Sequence, residues 1–216
     1  MASSIESRLA NAVFYGIIDS GYVDFANMRR KCQALIDGGA AIIQLRAKKE
    51  THAERAKMAE EILPLFQNSS APIFIINDDI ELAASLPNVG LHIGQDDLDP
   101  FKAREIMGEN RVIGLSTHSI EQAKRADSLA QAIDYFAVGP VFATNTKPGR
   151  PAVGLNLVRD VAAMRPNLPW FAIGGVNAKT VGNVYTAGAP RIVVVSDVLL
   201  VNDTTNAVKK LIAAKA

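Results

Sequence analysis

Eight short apolar runs recur along the 216-residue chain, each ending in polar or small residues. They are 13–19 (VFYGIID), 41–47 (AIIQLRA), 72–78 (PIFIIND), 90–94 (GLHIG), 111–117 (RVIGLST), 134–140 (DYFAVGP), 170–175 (WFAIGG) and 191–197 (RIVVVSD). Rich in Val, Ile and Phe, and too short for independent helices, they predict strands buried on both faces. Between them apolar residues return every three or four positions. Ala56, Ala59, Ile62, Leu63 and Phe66 share one side of 51–66, and Ile120, Ala123, Ala126 and Leu129 share one side of 119–130. Segments 25–36, 99–108, 156–164 and 206–214 behave alike. Gly38 and Gly39, Gly188, and Asp99 before Pro100 mark helix ends.

Eight strands alternating with eight helical segments predict one α/β domain, a (β/α)8 TIM barrel over residues 1–216. An open doubly wound sheet is the alternative, disfavoured by the count of eight and by the lack of a glycine fingerprint after the first strand. The one long connection, 141–155, has no periodicity of its own, and loops of that length are usually functional or disordered.

Composition narrows the class. The chain is 49% hydrophobic and 21% charged, with 23 basic and 22 acidic residues and a formal charge of +1. No basic face suggests nucleic acid, and no apolar run is long enough to cross a membrane. The opening residues lack the apolar centre of a secretory signal, so a cytoplasmic protein is expected. Cys32 is the only cysteine, on an apolar helix face with Phe25, Met28, Leu35 and Ile36; it reads as a buried, inert thiol.

In such a barrel the chemistry belongs at the C-terminal strand ends. Strand two ends in Gln44, Arg46 and Lys48, whose spacing of two puts them on one face. Strand three ends in Asn77, Asp78 and Asp79, and strand four in Gln95, Asp96 and Asp97. Strand five ends in Ser116, Thr117 and His118. Thr144, Asn145, Thr146 and Lys147 follow strand six, Gly174 and Gly175 close strand seven, and Val195 and Ser196 close strand eight. Carboxylates beside basic side chains suit Mg2+ bound together with an anionic substrate. Glycines after strand seven and the segment after strand eight suit a phosphate held by backbone N–H groups. Plainer uses compete with each reading. Asp79 and Asp97 could cap the following helices, Lys48 could be part of a solvated charge run, and Thr144 and Thr146 could be turn residues. His92, inside a strand, reads as packed; His118, at a strand end, is open to either use.

The segments QLRAK, INDDIELA, GLHIGQDD, IGLSTHS, DYFAVGPVFATNTKP, AIGGV and VVVSDVL, in this order over residues 13–200, resemble the thiamine-phosphate synthase family. The resemblance implies a transferase of thiamine biosynthesis that couples 4-amino-5-hydroxymethyl-2-methylpyrimidine diphosphate to a thiazole phosphate or its carboxylated form. It implies that Gln44, Arg46, Lys48, Asn77, Ser116 and Lys147 hold the pyrimidine diphosphate, with Arg46, Lys48, Ser116 and Lys147 as the catalytic set. Asp78 and Asp97 would bind Mg2+, the implied cofactor. Thr144, Thr146, Gly175, Val195 and Ser196 would hold the thiazole phosphate. The implied partners are these small molecules, with no nucleic acid and no membrane; a homo-oligomer is compatible with the sequence. Two rival functions remain: a thiazole tautomerase on the same barrel using His118, and a barrel that binds thiazole or thiamine phosphates without catalysis. Tautomerases lack the metal-binding acids, so Asp78 and Asp97 favour the synthase. Asp19, where the family pattern leads one to expect a preceding Thr, receives no role.

Overall fold

A computed structural model describes residues 4–68, 70–144 and 151–215. All eight apolar runs form strands: β1 (Phe14–Asp19), β2 (Ile42–Arg46), β3 (Ile73–Asn77), β4 (Gly90–Ile93), β5 (Ile113–Thr117), β6 (Tyr135–Val138), β7 (Trp170–Ile173) and β8 (Ile192–Val194). They are parallel and close in sequence order into a barrel, with β8 paired back to β1. Around it lie α1 (Ile5–Asn11), α2 (Phe25–Asp37), α3 (His52–Ile62), α4 (Ile80–Ser85), α5 (Pro100–Met107), α6 (Ile120–Asp127), α7 (Gly154–Met164), α8 (Val181–Thr186), α9 (Ser196–Leu199) and α10 (Thr204–Ala213).

The helices differ from the expected eight at three places. Residues 51–66 do not stay one helix, because Pro64 lacks the N–H that an α-helix needs there, and Leu63–Phe66 tighten into a 3-10 turn. Helix α1, capped by the Ser4 hydroxyl, precedes β1. It packs Leu9 and Ile5 against the inward side chains of the barrel. Helix α9 is a single four-residue turn immediately after β8.

Strand alternation divides the core in two. Outward residues such as Phe14, Ile18, Ile43, Leu45, Phe74 and Ile76 pack under the helices. Inward residues Tyr15, Ile17, Ile42, Ile73, Ile75, Val112, Tyr135, Phe171 and Val193 fill the barrel. Gly114 makes room for one of them: a Cβ there would lie 2.1 Å from the Tyr135 ring. The chain closes where the buried Lys31 on α2 donates to the Val201 carbonyl and to Thr204 Oγ1.

Cys32 is fully buried, and burial pushes its thiol up to about 12. Because the thiolate is the reactive form, the native protein at pH 8 is expected to resist an aromatic disulfide reagent and to release one equivalent of chromophore only after denaturation. Release at the rate of a free thiol in the native state would contradict this burial.

Candidate active site at the C-terminal mouth

The parity that puts Tyr15 and Ile17 inside also carries Asp19 inward, and on the next strand it carries Gln44 and Arg46. Asp19 and Arg46 are register partners on β1 and β2. Arg46 Nη1 donates to Asp19 Oδ2 at 2.6 Å, with both side chains largely buried. Asp19 Oδ1 also accepts from the Gly21 amide at 2.8 Å. The residue left without a role by the sequence is therefore the counter-ion of a predicted diphosphate ligand. The sequence signal was only that Asp19 ends the first apolar run, a strand-end position like that of Arg46; the register that sets the two opposite each other belongs to the folded sheet.

Lys48 lies two residues beyond Arg46 and pairs with the Asp78 carboxylate, so it is not simply a solvated charge. Asp78 sits in the left-handed region (φ 64°), a conformation that Asp tolerates better than most residues, and its amide donates to the His92 carbonyl at 2.9 Å. This turn directs its side chain toward Asp97. Burial raises the Asp78 carboxyl above the usual carboxylate range; Lys48 opposes the shift and the charge of Asp97 adds to it. Asp97 also supports its own turn, accepting from the Gly94 amide at 2.6 Å. It does not cap the following helix, as it could have done; that cap is Asp99, which accepts from the Phe101 and Lys102 amides and leaves Asp97 to the turn and the mouth.

Among the described residues no group of three or more His, Cys, Asp or Glu could hold a metal. The donor set on offer is the two facing carboxylates. Hard oxygen donors, one of them disfavoured as a bare anion by burial and by its neighbour, fit a Mg2+ ion that draws its other ligands from water and phosphate. Asp79 has the capping job expected of it. It accepts from the Leu82 amide at the start of α4, from Arg55 Nε at 2.7 Å, and faces His52 Nδ1 at 3.0 Å. Burial works to raise its carboxyl, but these partners outweigh that and hold it low.

Two adjoining cavities open at the mouth. One, lined by Lys48, Asp78, Asp97 and Gln95, is polar. The other runs deeper, past Gln44, Thr144, Gly175, Val195 and Ser196 to the apolar Ile173 and Val193. Arg46, Asn77, His92 and Ser116 line both. At the far rim Gly174 and Gly175 have φ of 99° and 64°. The segment after β6 crosses them closely, and Cβ atoms there would lie 2.4 Å from Pro140 and 2.6 Å from Phe142. Only glycine satisfies both the conformation and the approach. His118 also lines the deeper cavity, with Nδ1 against the Gly139 carbonyl and its amide donating to Gln122 Oε1.

The structure therefore gathers eleven of the thirteen predicted site residues around these cavities. Thr146 and Lys147 lie outside the described residues, as does the middle of the predicted 141–155 connection; its end forms the first turn of α7. His92 is packed and hydrogen-bonded as expected, with Nδ1 2.9 Å from Tyr135 Oη and Nε2 2.9 Å from Ser116 Oγ. Tyr15, not singled out by the sequence, lines the deeper cavity and is backed by the buried Tyr135: Tyr15 Oη is 3.0 Å from Tyr135 Oη and accepts from Gln44 Nε2 at 2.7 Å. A tyrosine at an inward strand position needs a polar partner for its hydroxyl, and that was the signal available.

The family profile described as thiamine monophosphate synthase matches residues 14–198. A thiamine-phosphate synthase of Acidothermus cellulolyticus is 38% identical over 212 residues, covering 98% of this chain and 99% of that one. One from Thermus thermophilus is 41% identical over 181 residues, covering 84% and 85%. The solved thiamine phosphate pyrophosphorylase of Pyrococcus furiosus superposes with a TM-score of 0.82 at 26% identity, covering 98% of both chains. With the closed barrel and the mouth just described, these similarities place the chain in the thiamine monophosphate synthase family, a family of transferases.

Proposed function

We propose that this chain couples 4-amino-5-hydroxymethyl-2-methylpyrimidine diphosphate to 4-methyl-5-(2-hydroxyethyl)thiazole phosphate or its carboxylated form, releasing diphosphate. The observation that carries the reading is the facing pair Asp78 and Asp97, flanked by Lys48 and Arg46, on the wall of a polar cavity that adjoins, through Arg46, Asn77, His92 and Ser116, the one reaching the glycine rim. One end suits a diphosphate and the other a phosphate monoester.

The chemistry requires little of the protein beyond positioning and charge. The methylene C–O bond of the pyrimidine breaks, and diphosphate leaves with the electron pair. The ring electrons of the aminopyrimidine stabilise the methylene cation. The lone pair of the thiazole nitrogen then forms the new C–N bond; the carboxylated thiazole also loses CO2, the bonding pair staying on the ring carbon, which takes a proton from water. Arg46 and Lys48 neutralise the departing charge, with Lys147 assigned the same work from its sequence position. Mg2+, held by Asp78 and Asp97, would supply further charge neutralisation at the diphosphate. Gln44, Asn77 and Ser116 orient the pyrimidine, and Thr144, Thr146, Gly175, Val195 and Ser196 hold the thiazole phosphate. No helix among the described residues is long and apolar enough to cross a membrane.

Mixing both substrates with and without Mg2+ and measuring thiamine phosphate tests the reading. Product and diphosphate in equal amounts, only with the metal, are expected. Isomerisation of the carboxylated thiazole without the pyrimidine would instead support a tautomerase, and binding without turnover would support a non-catalytic barrel.

A further inference from the structure

Asp78 sits at the centre of a three-residue turn, closed where the Asp79 amide donates to the Asn77 carbonyl at 2.8 Å. With φ of 64° at its centre, this is the rare and strained form of such a turn. Strain of this kind persists only where the surroundings hold it, and it collects at functional sites. One side is held by β3 and by the Asp78 amide on the His92 carbonyl. The other side depends on Asp79, whose two carboxylate oxygens reach two different helices. Oδ1 accepts from the Leu82 amide of α4 at 3.0 Å, and Oδ2 accepts from Arg55 Nε of α3 at 2.7 Å and faces His52 Nδ1.

Arg55 springs from a fixed base, because a capping box between Thr51 and Glu54 sets the start of α3. Its side chain is only 26% exposed. Besides Asp79 it holds the end of the loop that carries Lys48, with Nη1 donating to the Glu50 carbonyl at 2.6 Å. One planar group therefore joins the Lys48 loop to the Asp78 turn, and Lys48 and Asp78 pair across that junction. A guanidinium suits the task, since its rigid fork donates in two fixed directions. Neither Arg55 nor Asp79 lines the two cavities of the mouth, so whatever they do for the site passes through their neighbours.

We propose that Arg55 is a positioning residue: by clamping Asp79 and the Glu50 carbonyl, it holds the strained turn that aims Asp78 at Asp97 and keeps Lys48 beside it. This rests on the metal role proposed above for Asp78 and Asp97. Without the clamp the turn relaxes toward an ordinary negative φ, and the Asp78 carboxylate leaves the place where it shares an ion with Asp97. The sign of the effect separates positioning from charge. Arg55 is a cation near a cation site, so on charge alone its removal should tighten a divalent metal. Loss of the clamp should weaken it.

The test is binding of Mn2+ alone, an oxygen-seeking ion that stands in for Mg2+, followed by its electron paramagnetic resonance. Melting curves in chelator establish that each variant is folded. Arg55→Met keeps the apolar length of the side chain. It should weaken Mn2+ binding about tenfold, the scale of loss when a partner that orients a metal ligand is removed, with thiazole phosphate affinity unchanged by calorimetry. Asp79→Asn keeps the α4 cap, since Asn caps as well as Asp, but turns an amide N–H toward Arg55. It should lose the same factor, and it carries the test if Arg55→Met does not fold. The double variant should bind no more weakly than the weaker single one, because both changes act through one contact. Mn2+ binding in a folded single variant that equals or exceeds the wild type overturns the clamp. So does an equal loss of thiazole phosphate affinity, or losses that multiply in the double variant. A wild type that binds no Mn2+, or an Asp78→Asn variant that binds it as the wild type does, overturns the metal reading and the clamp with it.

Discussion

Asp78→Asn is expected to lower the Mg2+-dependent coupling rate by about a thousandfold while leaving the barrel intact. The rate effect follows from the loss of one of two carboxylate ligands, where charge stabilisation is worth several kcal/mol and each ~1.4 kcal/mol is a factor of ten. Asn is the appropriate replacement because the residue has φ of 64°, which Asn adopts readily. Ala would add about 1–2 kcal/mol of backbone strain and confuse the two effects. Without metal, the variant should melt no lower than the wild type, since the removed carboxylate is disfavoured by burial and by Asp97. Initial rates at saturating Mg2+ and thermal melts in chelator read the two halves separately. Full metal-dependent activity in the variant would remove Asp78 from the metal site.

Arg46→Ala is expected to damage stability and catalysis together. It strands the Asp19 carboxylate, whose side chain is only 5% exposed, without its 2.6 Å partner. Breaking a buried pair from one side costs about 3–5 kcal/mol, or roughly 10 °C in melting temperature for a chain of this length. Diphosphate affinity should fall at least tenfold with the lost charged hydrogen bond. The double variant Asp19→Asn with Arg46→Met separates these contributions. It removes both charges, so stability should return while diphosphate affinity stays low. Were the single variant as stable as the wild type, the pair would have no structural weight; were the double variant to regain affinity, Arg46 would not be a ligand.

Most of the barrel is legible in the chain because its signal is local. Each apolar run carries its own evidence of being a strand, and period-two alternation already puts Gln44, Arg46 and Lys48 on one face. At 51–66 the apolar periodicity runs straight through Pro64, whose missing N–H the pattern does not register. Helix α1 escapes the pattern because seven residues show too little periodicity to stand out.

By itself the sequence determined the order of the eight strands, the residues at each strand end, and the family to which they belong. Only the closed barrel decided which of those residues meet. Asp78 faces Asp97 because a left-handed turn redirects the end of β3 toward β4. Asp19 meets Arg46 because β1 and β2 pair in one particular register. Tyr15 and Tyr135, separated by 120 positions, touch because closure brings β1 and β6 across the same interior. Alternation sets the face of a side chain within a few residues, whereas its neighbours depend on register and closure, which are properties of the whole sheet.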